Sequence, residues 1–101
     1  MQLKAAFIFL SSEGNPQIHH SEVNTDSVSV TTYAVNSYQA ACVLAQQLVR
    51  QGIIAIELCG GFGINGVAAV NQAVEGQAVV GVVRFDNHPG LHHQSGDTLF
   101  Q

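Results

Sequence analysis

The sequence predicts an α/β fold, and three observations carry that prediction. Apolar runs of strand length alternate with apolar stripes at helical spacing. Each helical stretch stops at a glycine, Gly52 or Gly76. A glycine-rich turn joins a strand to a helix in the middle of the chain. The expected order is β-β-α-β-α-β, a mostly parallel sheet of about four strands with two helices, in a single domain over residues 1–101.

Residues 3–10 form the first expected strand, apolar on both faces. Residues 11–21 carry Gly14, Asn15 and Pro16 and read as loop. A second strand is expected at about 27–35, where Val28, Val30 and Thr32 alternate with Ser27, Ser29 and Thr31. Asn36 then stands as a helix N-cap, with Gln39 at capping-box spacing. Tyr38, Ala41, Cys42, Ala45, Leu48 and Val49 make one helical stripe, and Gly52 takes the left-handed position after it. A third strand at 53–59 is apolar except at Glu57, the pattern of a central strand covered on both faces. A second helix at about 64–75 has Val67, Val70 and Val74 inward. A fourth strand follows at 77–85, then a polar tail with Leu91, Leu99 and Phe100 as anchors. Right-handed crossovers make strands two to four parallel and adjacent, and leave the direction of the first strand open.

Composition narrows the function. Of 101 residues, 47% are hydrophobic and 10% charged, against about 25% charged in typical domains. Surface that is neither charged nor needed inside predicts a homo-oligomer. Net charge is −4, and the basic residues Lys4, Arg50 and Arg84 form no cluster. Nucleic acid and anionic membranes are therefore not expected partners. No run approaches the ~20 apolar residues of a spanning helix, and the start of the chain lacks signal-peptide features. The expected location is the cytoplasm.

The chemistry gathers at residues 57–66. Gly61, Gly63 and Gly66 have the spacing GxGxxG between a strand and a helix, and Asp86 follows 20 residues later. That is the outline of a dinucleotide-binding turn, in a chain too short to hold a whole dinucleotide, so no cofactor is assigned. If the third and fourth strands are parallel neighbours, Glu57 and Cys59 meet Arg84, Asp86 and His88 beside the N-terminus of the second helix. The glycines Gly60, Gly61 and Gly63 would either open backbone N–H groups to an anion or permit a tight turn with positive φ. Glu57 and Arg84 would pair across the strands, or Arg84 would receive an anionic group. Cys59 near a helix N-terminus, with His88 as base, is the candidate nucleophile. Asp86, His88, His92 and His93 offer N and O donors, but their spacing fits no strict ligand template, and no metal site is assigned.

The segment 57–63 (Glu-Leu-Cys-Gly-Gly-Phe-Gly), the run 66–70 (Gly-Val-Ala-Ala-Val) and the stretch 80–90 (Val-Gly-Val-Val-Arg-Phe-Asp-Asn-His-Pro-Gly) together resemble a family of small bacterial and archaeal proteins of about this length, a domain of unknown function. The resemblance implies one small domain and brings no activity, substrate or cofactor.

The first reading is thus an oligomeric α/β protein binding a small anionic or polar ligand at the turn 60–66, through Glu57, Cys59, Gly60, Gly61, Gly63, Arg84, Asp86 and His88. An enzyme using Cys59 as thiolate, or a metal at Asp86 and His88, is the second. A protein interaction module with a purely structural glycine turn is the third. Ligand identity and subunit number are not written in the sequence.

Overall fold

The computed structural model describes residues 2–101. The elements run β1 (Leu3–Leu10), β2 (His20–Asn24), β3 (Val28–Val35), α1 (Tyr38–Arg50), β4 (Ala55–Leu58), α2 (Ile64–Val74), β5 (Val79–Val82) and α3 (Gly96–Phe100), with a 3-10 turn at Pro89–Leu91 before α3. The sheet order is β2-β3-β1-β4-β5, parallel except for β2. The predicted α/β class holds, with one strand and one short helix more than expected.

The added strand, β2, turns back on β3 through residues 24–28, where Thr25 N donates to the Val28 carbonyl at 2.8 Å. Its sequence, His-Ser-Glu-Val-Asn, is exposed throughout. It caps the sheet edge with polar side chains, which discourages edge-to-edge pairing. Strand β1 enters parallel between β3 and β4. The expected adjacency of the second and third strands is therefore corrected: the α1 crossover passes over β1.

Two local details also differ. The N-cap of α1 is Ser37, whose Oγ accepts from Ala40 N at 3.0 Å, not Asn36. Leu44 joins the buried stripe with Tyr38, Ala41, Ala45 and Leu48. Gly52 has φ +94°, as its position after the helix requires.

Both crossovers step the same way along the sheet, so right-handedness puts α1 and α2 on one face. They pack against each other and against Ala6, Ile8, Ile56 and Leu58, which are almost fully buried. Burying each Ile or Leu there contributes about 1.5–3 kcal/mol relative to exposure. The opposite face carries Leu3, Phe7, Val30, Glu57 and Val79, with no element over it among the described residues. The strand expected to be covered on both faces is covered on one, and Glu57 is exposed on the bare side. No helix of the described residues is long and apolar enough to cross a membrane.

Candidate functional site

Strand β4 leads through Cys59 into the glycine turn, and α2 begins at Ile64 with Gly63 as its N-cap. None of Gly60, Gly61 and Gly63 has positive φ; the positive-φ glycines are Gly52 and Gly76. The expectation of a turn that needs left-handed backbone is therefore corrected. What the turn needs is room at Gly60, Gly63 and Gly66, each of which has a neighbour where a Cβ would go. At Gly60 that neighbour is the Phe85 ring, at Gly63 the Asp97 carboxylate, and at Gly66 the Tyr38 ring, 2.5 Å from the Cβ position. Gly61 presents its carbonyl to Gly96, where a Cβ would overlap it.

The N-terminus of α2 already holds an anion, and the chain supplies it. Asp97 accepts from Asn65 N at 3.1 Å through both carboxylate oxygens, and Oδ1 accepts from Gly66 N at 3.4 Å. Tyr38 donates its hydroxyl to Asp97 Oδ1 and accepts from Gly63 N, both at 2.9 Å. Gly61 N donates to Cys59 Sγ at 3.3 Å, and Phe62 N to the Cys59 carbonyl at 3.1 Å. These N–H groups, which the sequence reading aimed at a ligand, are bonded to protein. A carboxylate at a helix N-terminus answers both the orphan donors and the helix field.

Burial pushes the Tyr38 hydroxyl up from 10.0 to about 12; the Gly63 N–H it accepts acts the other way, and the Asp97 carboxylate adds to the rise. The raised value has a sign that can be measured. Below pH 10 the tyrosine is protonated in folded and unfolded chains alike, and its contribution is complete. Between 10 and about 12 only the unfolded chain ionises it, so stability falls across that window. Tyr38→Phe is expected to flatten this loss in urea melts. It should also cost about 1–3 kcal/mol at neutral pH, by leaving the Gly63 N–H unpaired in the interior.

Arg84 lies outside the sheet. The last bond of the β4–β5 ladder is Val83 N to the Leu58 carbonyl, 3.0 Å, and Glu57 is in register with Gly81. The expected Glu57–Arg84 pair is therefore not formed. Arg84 instead gives its Nε to Asp86 Oδ1 at 2.8 Å, with both side chains well exposed. A surface pair of this kind contributes about 0–1 kcal/mol.

The proposed nucleophile and base are not brought into contact. His88 lies against Phe85, ring centroids 4.7 Å apart, and its Nδ1 accepts from Gly90 N at 3.0 Å. Cys59 is half-buried and has the Gly61 N–H as its partner. Among the described residues no three of His, Cys, Asp and Glu gather to hold a metal, so Asp86, His88, His92 and His93 do not converge. Burial pushes the Cys42 thiol up, as suits a residue packed against the core.

What opens beside the turn is a cleft of about 590 Å³ between α2, β5 and the tail. Val67, Ala68, Val80 and Val82 line it, with the rings of Phe62 and Phe85. Asn71, Arg84, Asp86, Ser95 and Asp97 supply its polar side chains, and Gly63 adjoins them. Of the residues nominated from sequence, the cleft gathers Gly63, Arg84 and Asp86. It leaves Glu57 on the bare sheet face, Cys59 half-buried before the turn, Gly60 against Phe85 and the Gly61 carbonyl against Gly96. Tyr38 and Asp97 were not nominated at all. Tyr38 read as an ordinary stripe residue, and nothing in the spacing of the chain ties position 97 to position 65.

No curated protein and no solved structure matches this chain. A family model, described as a family of unknown function (DUF6506), matches residues 3–98. The chain belongs to that family.

Proposed function

We propose that this protein binds a small molecule in the cleft between α2 and β5, taking an apolar body inside and an anionic group at Arg84. The observation that carries this reading is the cleft itself: its 590 Å³ lies within the usual range of ligand pockets, about 300–1,000 Å³. Its lining is largely aliphatic with a few polar side chains among them, a composition that binds by burial and orients by a few polar contacts. Arg84 spends one N–H of five on Asp86, which leaves its two terminal nitrogens for a carboxylate or phosphate. Because the α2 N-terminus is filled by Asp97, anion recognition passes from the glycine backbone to this guanidinium.

The test is titration of isotope-labelled protein with small carboxylic acids bearing branched or aromatic bodies, read by amide shifts. Shifts are expected at Val67, Ala68, Val80 and Val82. Arg84→Gln should weaken carboxylates about five- to tenfold and leave the matching primary amides unchanged. Ala68→Phe, at an exposed position of α2, should fill the cleft and abolish binding without unfolding the chain. Shifts confined to the bare sheet face, or binding indifferent to Ala68→Phe, would remove the proposal.

A further inference from the structure

We infer that the bare face of the sheet is the docking surface for a second copy of this chain, packed about a two-fold axis that runs along β1. The inference is independent of the cleft, which lies on the helix side.

Parallel strands are normally covered on both faces, because both are apolar. Here β3, β1, β4 and β5 are parallel, and the helices cover only one side. The uncovered side exposes Leu3 (40%), Val23 (69%) and Val79 (77%). Five strands about 4.8 Å apart, at about 3.3 Å per residue, make a plane roughly 20 Å square. Side-chain relief adds to that area. Two such faces together bury on the order of 1,000 Å², the low end of specific interfaces, as for a dimer that dissociates on dilution.

Charge selects the occupant. Glu57 is the one ionisable side chain among the strand residues facing this side. Lys4 alternates to the helix side, Arg50 ends α1, and Arg84 follows β5. The face has no cation for lipid phosphate or nucleic acid and no acidic cluster for a basic partner. It fits a surface as apolar, as poor in charge and as twisted as itself.

The registers make it self-complementary. Val23, Val30, Ala5, Ala55 and Val79 lie in one row across the sheet, and Ser21, Thr32, Phe7, Glu57 and Gly81 in the next. Strand β1 is the middle strand of five. A two-fold axis along it sets Val79 of one copy over Val23 of the other, and the larger Val30 over the smaller Ala55. Phe7 meets its own mate on the axis. Each Glu57 comes over Thr32 of the other copy, whose hydroxyl can donate to it, and the two carboxylates stay apart. A buried carboxylate thereby gains a partner, as it must.

Light scattering and sedimentation of the full chain test this. The expected result is a dimer that dissociates on dilution through the micromolar range. V23K and V79E sit at the most exposed valines of the two edge strands, so each variant should keep the fold by circular dichroism. Each should weaken self-association about tenfold or more, since a lone charge is buried against a valine. Mixing the two variants should restore dimers, because lysine then faces glutamate across the interface. A wild-type monomer at all concentrations overturns the inference. So does a dimer indifferent to both variants, which would place the contact elsewhere. Loss of dimer without recovery on mixing overturns the axis along β1.

Discussion

Asp97→Ala is expected to destabilise the protein by about 2–4 kcal/mol, more than any other single side-chain truncation outside the core. One carboxylate serves three donors: Asn65 N, Gly66 N and the Tyr38 hydroxyl. Loss of a helix-capping acceptor costs about 0.5–2 kcal/mol, and bonds to a charged group contribute about 1.5–3. The total falls short of a plain sum because Asp97 is only half-buried and water re-solvates the freed N–H groups. Asp97→Asn keeps an oxygen acceptor and should lose about half as much. Urea melts of the three proteins check the order. Hydrogen exchange at Asn65 and Gly66 distinguishes cap loss from general weakening: these two amides should exchange faster in Asp97→Ala while the β1 amides do not. A loss below about 0.5 kcal/mol would show that the tail is not what holds the start of α2.

This expectation differs from what the glycine turn alone would foretell, and the difference shows where sequence reasoning stops. The first strand, both main helices and both glycine stops were legible because each is a local signal. The 3–10 run, the stripe from Tyr38 to Leu48, and Gly52 carry their structure within a few residues. Strand β2 was not legible, because an edge strand facing water on both sides has no apolar alternation to find. The end of β5 was not legible either. Val83 and Phe85 continue the apolar run around Arg84, but Phe85 leaves the ladder to lie on Gly60, and the register that sets Glu57 beside Gly81 leaves Arg84 three residues past it. The anion at the start of α2 comes from position 97, a pairing no spacing within residues 60–66 could encode. GxGxxG is a pattern of missing side chains. Here the space so made at Gly63 and Gly66 is filled by Asp97 and Tyr38 of the same chain, as that at the adjoining Gly60 is by Phe85.

Gly96→Ala should therefore be the more severe change on the tail, at about 3–4 kcal/mol, although it removes no hydrogen bond. A Cβ at this buried position would overlap the Gly61 carbonyl, and the Tyr38 hydroxyl lies 2.9 Å from the same point. Both neighbours are fixed: the carbonyl is backbone in a tight turn, and the hydroxyl is bonded to Gly63 N and Asp97. Overpacking a well-fitted site costs about 1–3 kcal/mol when side chains can shift, and more when backbone must. The way out is for the segment 95–100 to lift, which surrenders the Asp97 cap as well. If Gly96→Ala acts by undocking this segment, the double variant with Asp97→Ala should be scarcely less stable than Gly96→Ala alone, because both lose the same contacts. Additive losses would mean instead that the alanine strains the turn while the tail stays in place. Gly63→Ala is the internal comparison. Its φ is an ordinary −81°, and its Cβ would meet the Asp97 and Ser95 side chains, which can turn aside at the expense of the cap, rather than backbone. It should cost less than Gly96→Ala and leave the Tyr38 hydroxyl bonded to Gly63 N.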